Sequence, residues 1–351
     1  MMFERLAPEQ FDTIEGIPEP AENPRLIGHT QAARMLVGAY KAGKLPHALL
    51  FAGPQGIGKA TLAFHLAHHL LKHPSAASAS DEFAEPDPAS SMSRQIATGA
   101  HPSVLHLTRP VNDKTKSFKS VVTVDEIRKV SKFLSMTSHD GSYRVVIVDP
   151  ADDMNINAAN ALLKNLEEPP SRTLFILITH SIGGLLPTIR SRCQTILLQP
   201  LSAEDLLGVL QGFDSGLPDA ESERAAIAAR AGGSPRNAIL LTQYGGLEIS
   251  EAIDRLATAG SLDIAKAHRL ADAVAARDQT IQFSLFNRHV LDIVTDAASQ
   301  AARAGDMAKA SRLSEFWQNA LKTIDDAETY NLDKKQHVLG VIHALNAAMR
   351  G

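Results

Sequence analysis

RVVIVDPADDMNINAANALLKNLEEPPSRTLFILITHSIGGLLPTIRSRCQTILLQ, residues 144–199, decides the fold. It opens with Val145, Val146, Ile147 and Val148, then Asp149. A β-branched run this short reads as a strand buried on both faces, the kind found in parallel sheets. A helix is expected from about Asn157, with Ala158, Ala161, Leu162 and Leu166 on one face, and Pro169–Pro170 stops it. A second buried strand, 173–178, closes on Thr179. After a short helix begun by Pro187 come Ser191-Arg192-Cys193 and a third strand, 195–198. Strands alternating with helices place the chain in the α/β class.

An acid at one strand tip (Asp149), a polar residue at the next (Thr179) and an arginine after a short helix form the layout of a nucleoside-triphosphate site. Ligands of open parallel sheets bind at such carboxyl ends. Upstream, a helix near 29–42 and a strand over 48–52 lead into Gly53-Pro54-Gln55-Gly56-Ile57-Gly58-Lys59-Ala60-Thr61, and a helix leads out. That spacing is a P-loop: glycines let backbone N–H groups surround phosphate oxygens, and Lys59 neutralises the outer phosphates. Where a hydroxyl would hold Mg²⁺ stands Ala60; Thr61 comes one residue late, about 100° around the helix.

Residues 157–194, NAANALLKNLEEPPSRTLFILITHSIGGLLPTIRSRCQ, closely resemble the AAA+ module of DNA-polymerase clamp-loader subunits. The tokens LEEPP and LPTIRSRC carry the resemblance. It implies a P-loop module with a parallel sheet flanked by helices, a small helical lid and an all-helical collar through which five subunits form a ring. By the same resemblance, Gly53, Gly56, Gly58, Lys59, Thr61 and Asp149 would contact nucleotide, with Thr179 as sensor 1 and Arg236 as sensor 2. Arg192 matches the arginine finger, which acts in trans on the neighbouring subunit's ATP site. Leu26-Ile27-Gly28-His29 resembles the element that packs on adenine, although an ordinary helix start reads the same. The family's active subunits carry Asp-Glu at the end of the acid-bearing strand. Here the second position is Pro150, which offers no base for water. The expected ligand is therefore ATP or ADP, weakly held, Mg-poor and hardly hydrolysed. The family's four-cysteine zinc module falls in 74–100, where this chain has no cysteine, so no zinc is expected.

The rest of the chain fits this frame. Its 351 residues suffice for two or three domains, and 44% hydrophobic with 21% charged residues is ordinary for a soluble globular protein. A net charge of −4 argues against a free-standing nucleic-acid binder. One cysteine, Cys193, excludes an internal disulfide framework and fits a reducing compartment. The start carries acids and prolines rather than an apolar signal core, and no run reaches membrane-spanning length, so a cytoplasmic protein is expected. The expected domains are 1–200 (the AAA+ module, with an extended arm at 1–24 and a flexible loop at 74–100), a lid at 201–246 and a collar at 247–351. Residues 108–120 form a basic loop, most simply a solvated one. His65, His69 and His73 recur at four-residue spacing with His68 beside them; a shared metal is conceivable, but a histidine-rich polar helix face is the simpler reading. Arg236 follows Ser234 and Pro235 in a well-capped first turn, where a cation opposes the helix dipole. In 247–351 amphipathic helices are expected at 262–276, 280–304 and 309–325 and at the terminus, with Trp317 in core or interface packing.

Two functions from different classes follow. One is a clamp-loader subunit of a replicative DNA polymerase, itself neither polymerase nor competent ATPase. It would help load the sliding clamp onto primed DNA, with the other loader subunits, the clamp and DNA as partners and no membrane. The other is an autonomous P-loop ATPase, which Pro150 and Ala60 oppose. A purely structural scaffold is a third reading, opposed by the intact Ser-Arg-Cys.

Overall fold

Alternation within the buried strands builds a sheet with two covered faces. The computed structural model describes residues 4–135, 142–213, 215–276, 279–330 and 332–350. The first three residues of the expected arm and Gly351 of the expected collar lie outside them. In chain order the first unit contains α1 (Thr30–Lys41), β1 (Ala48–Ala52), α2 (Lys59–Lys72), α3 (Ser91–Ala97), β2 (Val104–Leu107), α4 (Val124–Ser135) and β3 (Arg144–Val148). It continues with α5 (Ile156–Glu167), β4 (Thr173–Thr179), α6 (Pro187–Arg190), β5 (Gln194–Leu197) and α7 (Ala203–Gln211). The five strands are all parallel, in the order β2-β3-β4-β1-β5.

Successive side chains of a strand point to opposite faces. Leu49 and Phe51 of β1, with Leu174, Ile176 and Ile178 of β4, pack on α1 and α2. Leu50, Phe175 and Leu177 face the other way, onto α4 and α5. Both faces are apolar, so the strands read as continuous hydrophobic runs, as the sequence indicated.

Three expectations change here. Residues 4–24 do not run extended: turns close at Thr13, Ile17 and Glu22, whose amides donate to Gln10, Ile14 and Glu19 carbonyls. The 74–100 stretch is not structureless. Ser90 caps α3 by accepting from the Ser93 amide, and Ile96 and Ala97 are buried. Composition missed this because one buried isoleucine and a cap suffice to order a short polar helix. The α2 histidines form no polar surface either: His65, His68 and His69 are buried. This helix lies against the sheet and is covered on nearly every side, so its histidines are core residues. Among the described residues no group of three or more His, Cys, Asp or Glu is placed to hold a metal ion.

The chain divides into two compact units, 1–217 with 224–237, and 218–223 with 238–351. Much of the expected 201–246 lid thus groups with the sheet. Helices α8 (Glu221–Ala231) and α9 (Pro235–Gln243) contribute to both groupings. The second unit holds α10 (Gly246–Thr258), α11 (Ile264–Ala275), α12 (Thr280–Arg303), α13 (Met307–Thr329) and α14 (Lys334–Arg350). Its core joins Ile253, Leu270, Phe286, Val290, Leu313 and Leu345. Trp317 is 37% exposed and so is not a core residue. Among the described residues no helix is long and apolar enough to cross a membrane.

Candidate nucleotide site

The register of β1 sets the site. Ala52 pairs with Thr179 on one side and Leu197 on the other, so Gly53 leaves the sheet between two strand ends. Gly56 and Gly58 then adopt φ of 75° and 98°. Left-handed backbone costs any residue but glycine about 1–2 kcal/mol. At Gly56 space is a second constraint: a Cβ would overlap Arg236 Cβ and lie 2.6 Å from Ser234 Oγ. Lys59 opens α2 and is 3% exposed; its Nζ donates to the carbonyls of Gly53 (2.7 Å) and Pro54 (2.6 Å). Burial lowers its pKa to about 8, against the opposing pull of Asp149 and Asp152. Ala60 and Thr61 follow, both half-buried.

Asp149 stands at the end of β3, beside the loop. Burial raises its carboxyl to about 7, and the charge of Asp12 adds to the effect while Lys59 opposes it. Near neutral pH about half of it is therefore protonated. Thr179 is fully buried and its Oγ1 donates to the Ser181 carbonyl at 2.9 Å. The acid that organises this end of the sheet is Asp152, which sequence reading did not single out. Its carboxylate accepts from the His180 amide (3.1 Å) and the Ser181 amide (3.0 Å), tying the segment after β3 to the exit of β4. Burial, then Lys59, lowers His180 to about 4, so its ring is neutral.

Arg236, in the first turn of α9, is brought to the P-loop as expected from the resemblance. Its amide donates to Gly56 O at 3.4 Å, and Ser234 Oγ donates to Gln55 O at 2.9 Å. The guanidinium turns to the N-terminal segment: Nη1 donates to the Asp12 carbonyl and lies 3.5 Å from Asp12 Oδ2. Next to it, Arg109 covers the Phe11 ring at 4.2 Å and its Nε donates to Asp153 Oδ2 at 2.5 Å. Neither Phe11 nor Asp12 was legible as a site residue, because their partners Arg109 and Arg236 are distant in sequence, the second 224 positions away. His29 has a clearer signal, being in the Leu-Ile-Gly-His element: its Nε2 bonds the Ile57 carbonyl at 2.6 Å.

Arg192 follows α6 and none of its hydrogen bonds runs to the P-loop. Nη2 donates to Glu167 Oε1 at 2.6 Å and Nη1 to the Thr188 carbonyl at 2.9 Å, with about a third of the side chain exposed. Arg192 thus has a local acid partner, Glu167. Cys193 packs under this turn with the α4–α5 core, and burial raises its thiol to about 11.

The donor set suits phosphate better than a metal. Backbone amides of a glycine loop, Lys59 and Arg236 are phosphate-binding chemistry. A divalent ion needs ionised oxygens, yet Ala60 has none and Asp149 is held partly protonated.

Sheet order, a P-loop after β1, an acid ending β3 and Thr179 ending β4 define an AAA+ P-loop module, joined in one chain to an all-helical unit. Residues 28–202 match the family described as DNA polymerase III, delta subunit. Over these residues the chain is similar to that family. It is similar to the DNA polymerase III subunit delta' of Pseudomonas aeruginosa, 38% identical over 194 residues, 55% of this chain and 54% of that one. It is 35% identical to the delta' subunit of Bacillus subtilis over 168 residues, 48% and 46% of the two chains. The gamma subunit of Buchnera aphidicola subsp. Schizaphis graminum is 28% identical over 227 residues, 64% and 58% of the two. The matched part spans about half the length of these relatives. The resemblance is thus to the delta-prime type of clamp-loader subunit.

Proposed function

We propose that this chain is a delta-prime-type subunit of the DNA polymerase III clamp loader, which helps place the sliding clamp on primed DNA. It joins other loader subunits in a five-membered ring and lends Arg192 to the ATP site of a neighbour. The observation that carries the reading is the Ser191-Arg192-Cys193 turn. Its arginine is partly exposed and bonded away from its own P-loop. An arginine supplied in trans stabilises charge on the transferring phosphoryl group, worth roughly 10³–10⁵ in rate where it has been measured.

The chain's own site binds ATP or ADP weakly through Gly53, Gly56, Gly58, Lys59, Thr61, Asp149, Thr179 and Arg236, with little help from Mg²⁺ and no effective hydrolysis. Pro150, Ala60 and the raised pKa of Asp149 support this and oppose an autonomous ATPase. No zinc is part of the function. Residues 201–246 serve as the lid and 247–351 as the collar. Exposed apolar side chains on α13, Trp317 and Leu321 one helical turn apart, support the second role.

Reconstituting the ring from its subunits tests the reading. Arg192→Ala should lower DNA- and clamp-stimulated ATP turnover by at least about tenfold, below the full range cited for such fingers, while co-elution of the subunits stays unchanged. Wild-type turnover in the variant ring would remove the trans role.

A further inference from the structure

The arm at residues 4–24 folds as a unit over the nucleotide site. Arg5 Nη2 donates to the carbonyls of Ile14 (2.7 Å) and Ile17 (3.1 Å). The Glu22 carboxylate accepts from the amides of Leu6 (2.6 Å), Ala7 (3.1 Å) and Glu19 (3.1 Å), and Thr13 donates to Glu19. Ala7 and Ile14 are buried by this folding. Its far end is pinned where His65 of α2 bonds the Asn23 carbonyl at 3.1 Å. The loop tip, Phe11-Asp12, reaches Arg109 and Arg236.

We propose that this arm is a built-in competitor for the nucleotide site: Asp12 occupies the guanidinium of Arg236, and nucleotide engages fully only when the arm tip withdraws. The inference rests on the reading of the P-loop as a nucleotide site. The Asp12 carbonyl takes an N–H of the arginine fork and the Asp12 carboxylate pairs with its charge, so a phosphate must displace both to engage the fork fully. Arg236 is placed for the exchange. Its amide is on Gly56 of the P-loop, its Nη1 donates to the Asp12 main-chain carbonyl with the Asp12 carboxylate 3.5 Å away, and its buried Nε has no hydrogen-bond partner among the described residues. An anion richer in acceptors than Asp12 would satisfy that orphan donor, which costs free energy while it stays unpaired.

Electrostatics point the same way. The charge of Asp12 reaches Asp149 and Asp153, both acids of the site. The arm tip therefore sits beside like charge and is retained by Arg236. Such a contact is poised rather than permanent. If the open form makes up about a tenth of molecules, apparent nucleotide affinity falls about tenfold below the intrinsic value.

The full chain is the material for the test and ADP the probe. Asp12→Ala removes the carboxylate and its ion pair and leaves the main-chain acceptor, which then holds the arm tip without charge. Glu22→Ala loosens the arm without touching Arg236. Lys59→Ala reports whether ADP sits in the P-loop. ADP affinity is measured by calorimetry, and amide exchange of residues 5–22 is followed by mass spectrometry with and without ADP. Asp12→Ala and Glu22→Ala should each bind ADP about tenfold tighter than wild type. In wild type, ADP should accelerate exchange across 5–22, and Asp12→Ala should do so without ADP. Equal ADP affinity in wild type, Asp12→Ala and Glu22→Ala, abolished by Lys59→Ala and leaving arm exchange unchanged, overturns the competitor and spares the nucleotide site. No binding of ADP by any variant overturns both.

Discussion

Replacing His69 by phenylalanine should leave the sheet unit as stable at pH 7, or stabilise it, and make it markedly more acid-resistant. His69 is 3% exposed and lies among three rings, with centroids of Tyr40 at 5.8 Å, His73 at 4.9 Å and Phe83 at 5.3 Å. Neither ring nitrogen has a hydrogen-bond partner among the described residues. A phenyl ring fills the same aromatic slot and removes polar atoms whose burial costs about 1–3 kcal/mol. The pH effect follows from linkage. Burial first, then the neighbouring His73, Lys41 and Lys72, lowers the ring to about 4. In the unfolded chain a histidine titrates near 6.5. The folded value is the lower one, so the neutral ring's full stability is present above about pH 6.5 and is lost as pH falls toward 4. At pH 5 the unfolded histidine is almost fully charged and the folded one mostly neutral, a cost of about 2 kcal/mol; at pH 7 it is a few tenths, roughly. Asp149, raised to about 7, works in the opposite direction over this range, but it is common to both proteins and cancels in their difference. The assay is urea unfolding at pH 7 and pH 5, read by pulsed amide exchange in β1 and β4. Tryptophan fluorescence would not serve, because Trp317 belongs to the other unit. The gap between His69→Phe and wild type should widen by about 2 kcal/mol on acidification. A constant gap would refute the buried neutral ring.

Three further outcomes are expected. Gly56→Ala, with φ of 75° and Ser234 Oγ 2.6 Å from the new Cβ, should cost about 2 kcal/mol or more and expose amides of 53–58 to exchange. Asp152→Ala strands the His180 amide and leaves the Ser181 amide only Thr179 Oγ1, so the sheet unit should lose about 1–2 kcal/mol in the same urea assay, with Asp152→Asn retaining part. Trp317→Glu combined with Leu321→Glu should reduce co-elution with the other loader subunits while helical content by circular dichroism stays unchanged.

Much of this molecule is written locally. Val145–Val148 and Leu174–Ile178 are strands because their β-branched and apolar runs suit a sheet covered on both faces, and the P-loop is a loop because Gly56 and Gly58 permit positive φ. Pro169–Pro170 ends a helix wherever it occurs, and α5 stops at Glu167 as that rule requires. Pro150 and Ala60 are likewise visible without coordinates, since what they lack is a functional group. Tertiary structure decided the partners. The α2 histidines have polar side chains on a helix that the sheet happens to bury, and spacing alone cannot distinguish a wet face from a covered one. Arg192 takes Glu167 because the turn after α6 is set against the end of α5. Asp12 meets Arg236 from 224 positions away, and Asp152 meets the amides of 180 and 181 across a parallel sheet whose order no local pattern encodes. Propensity and steric rules act over a few residues, so they fix elements and loops; ion pairs, burial and pKa values depend on which distant elements the core brings together.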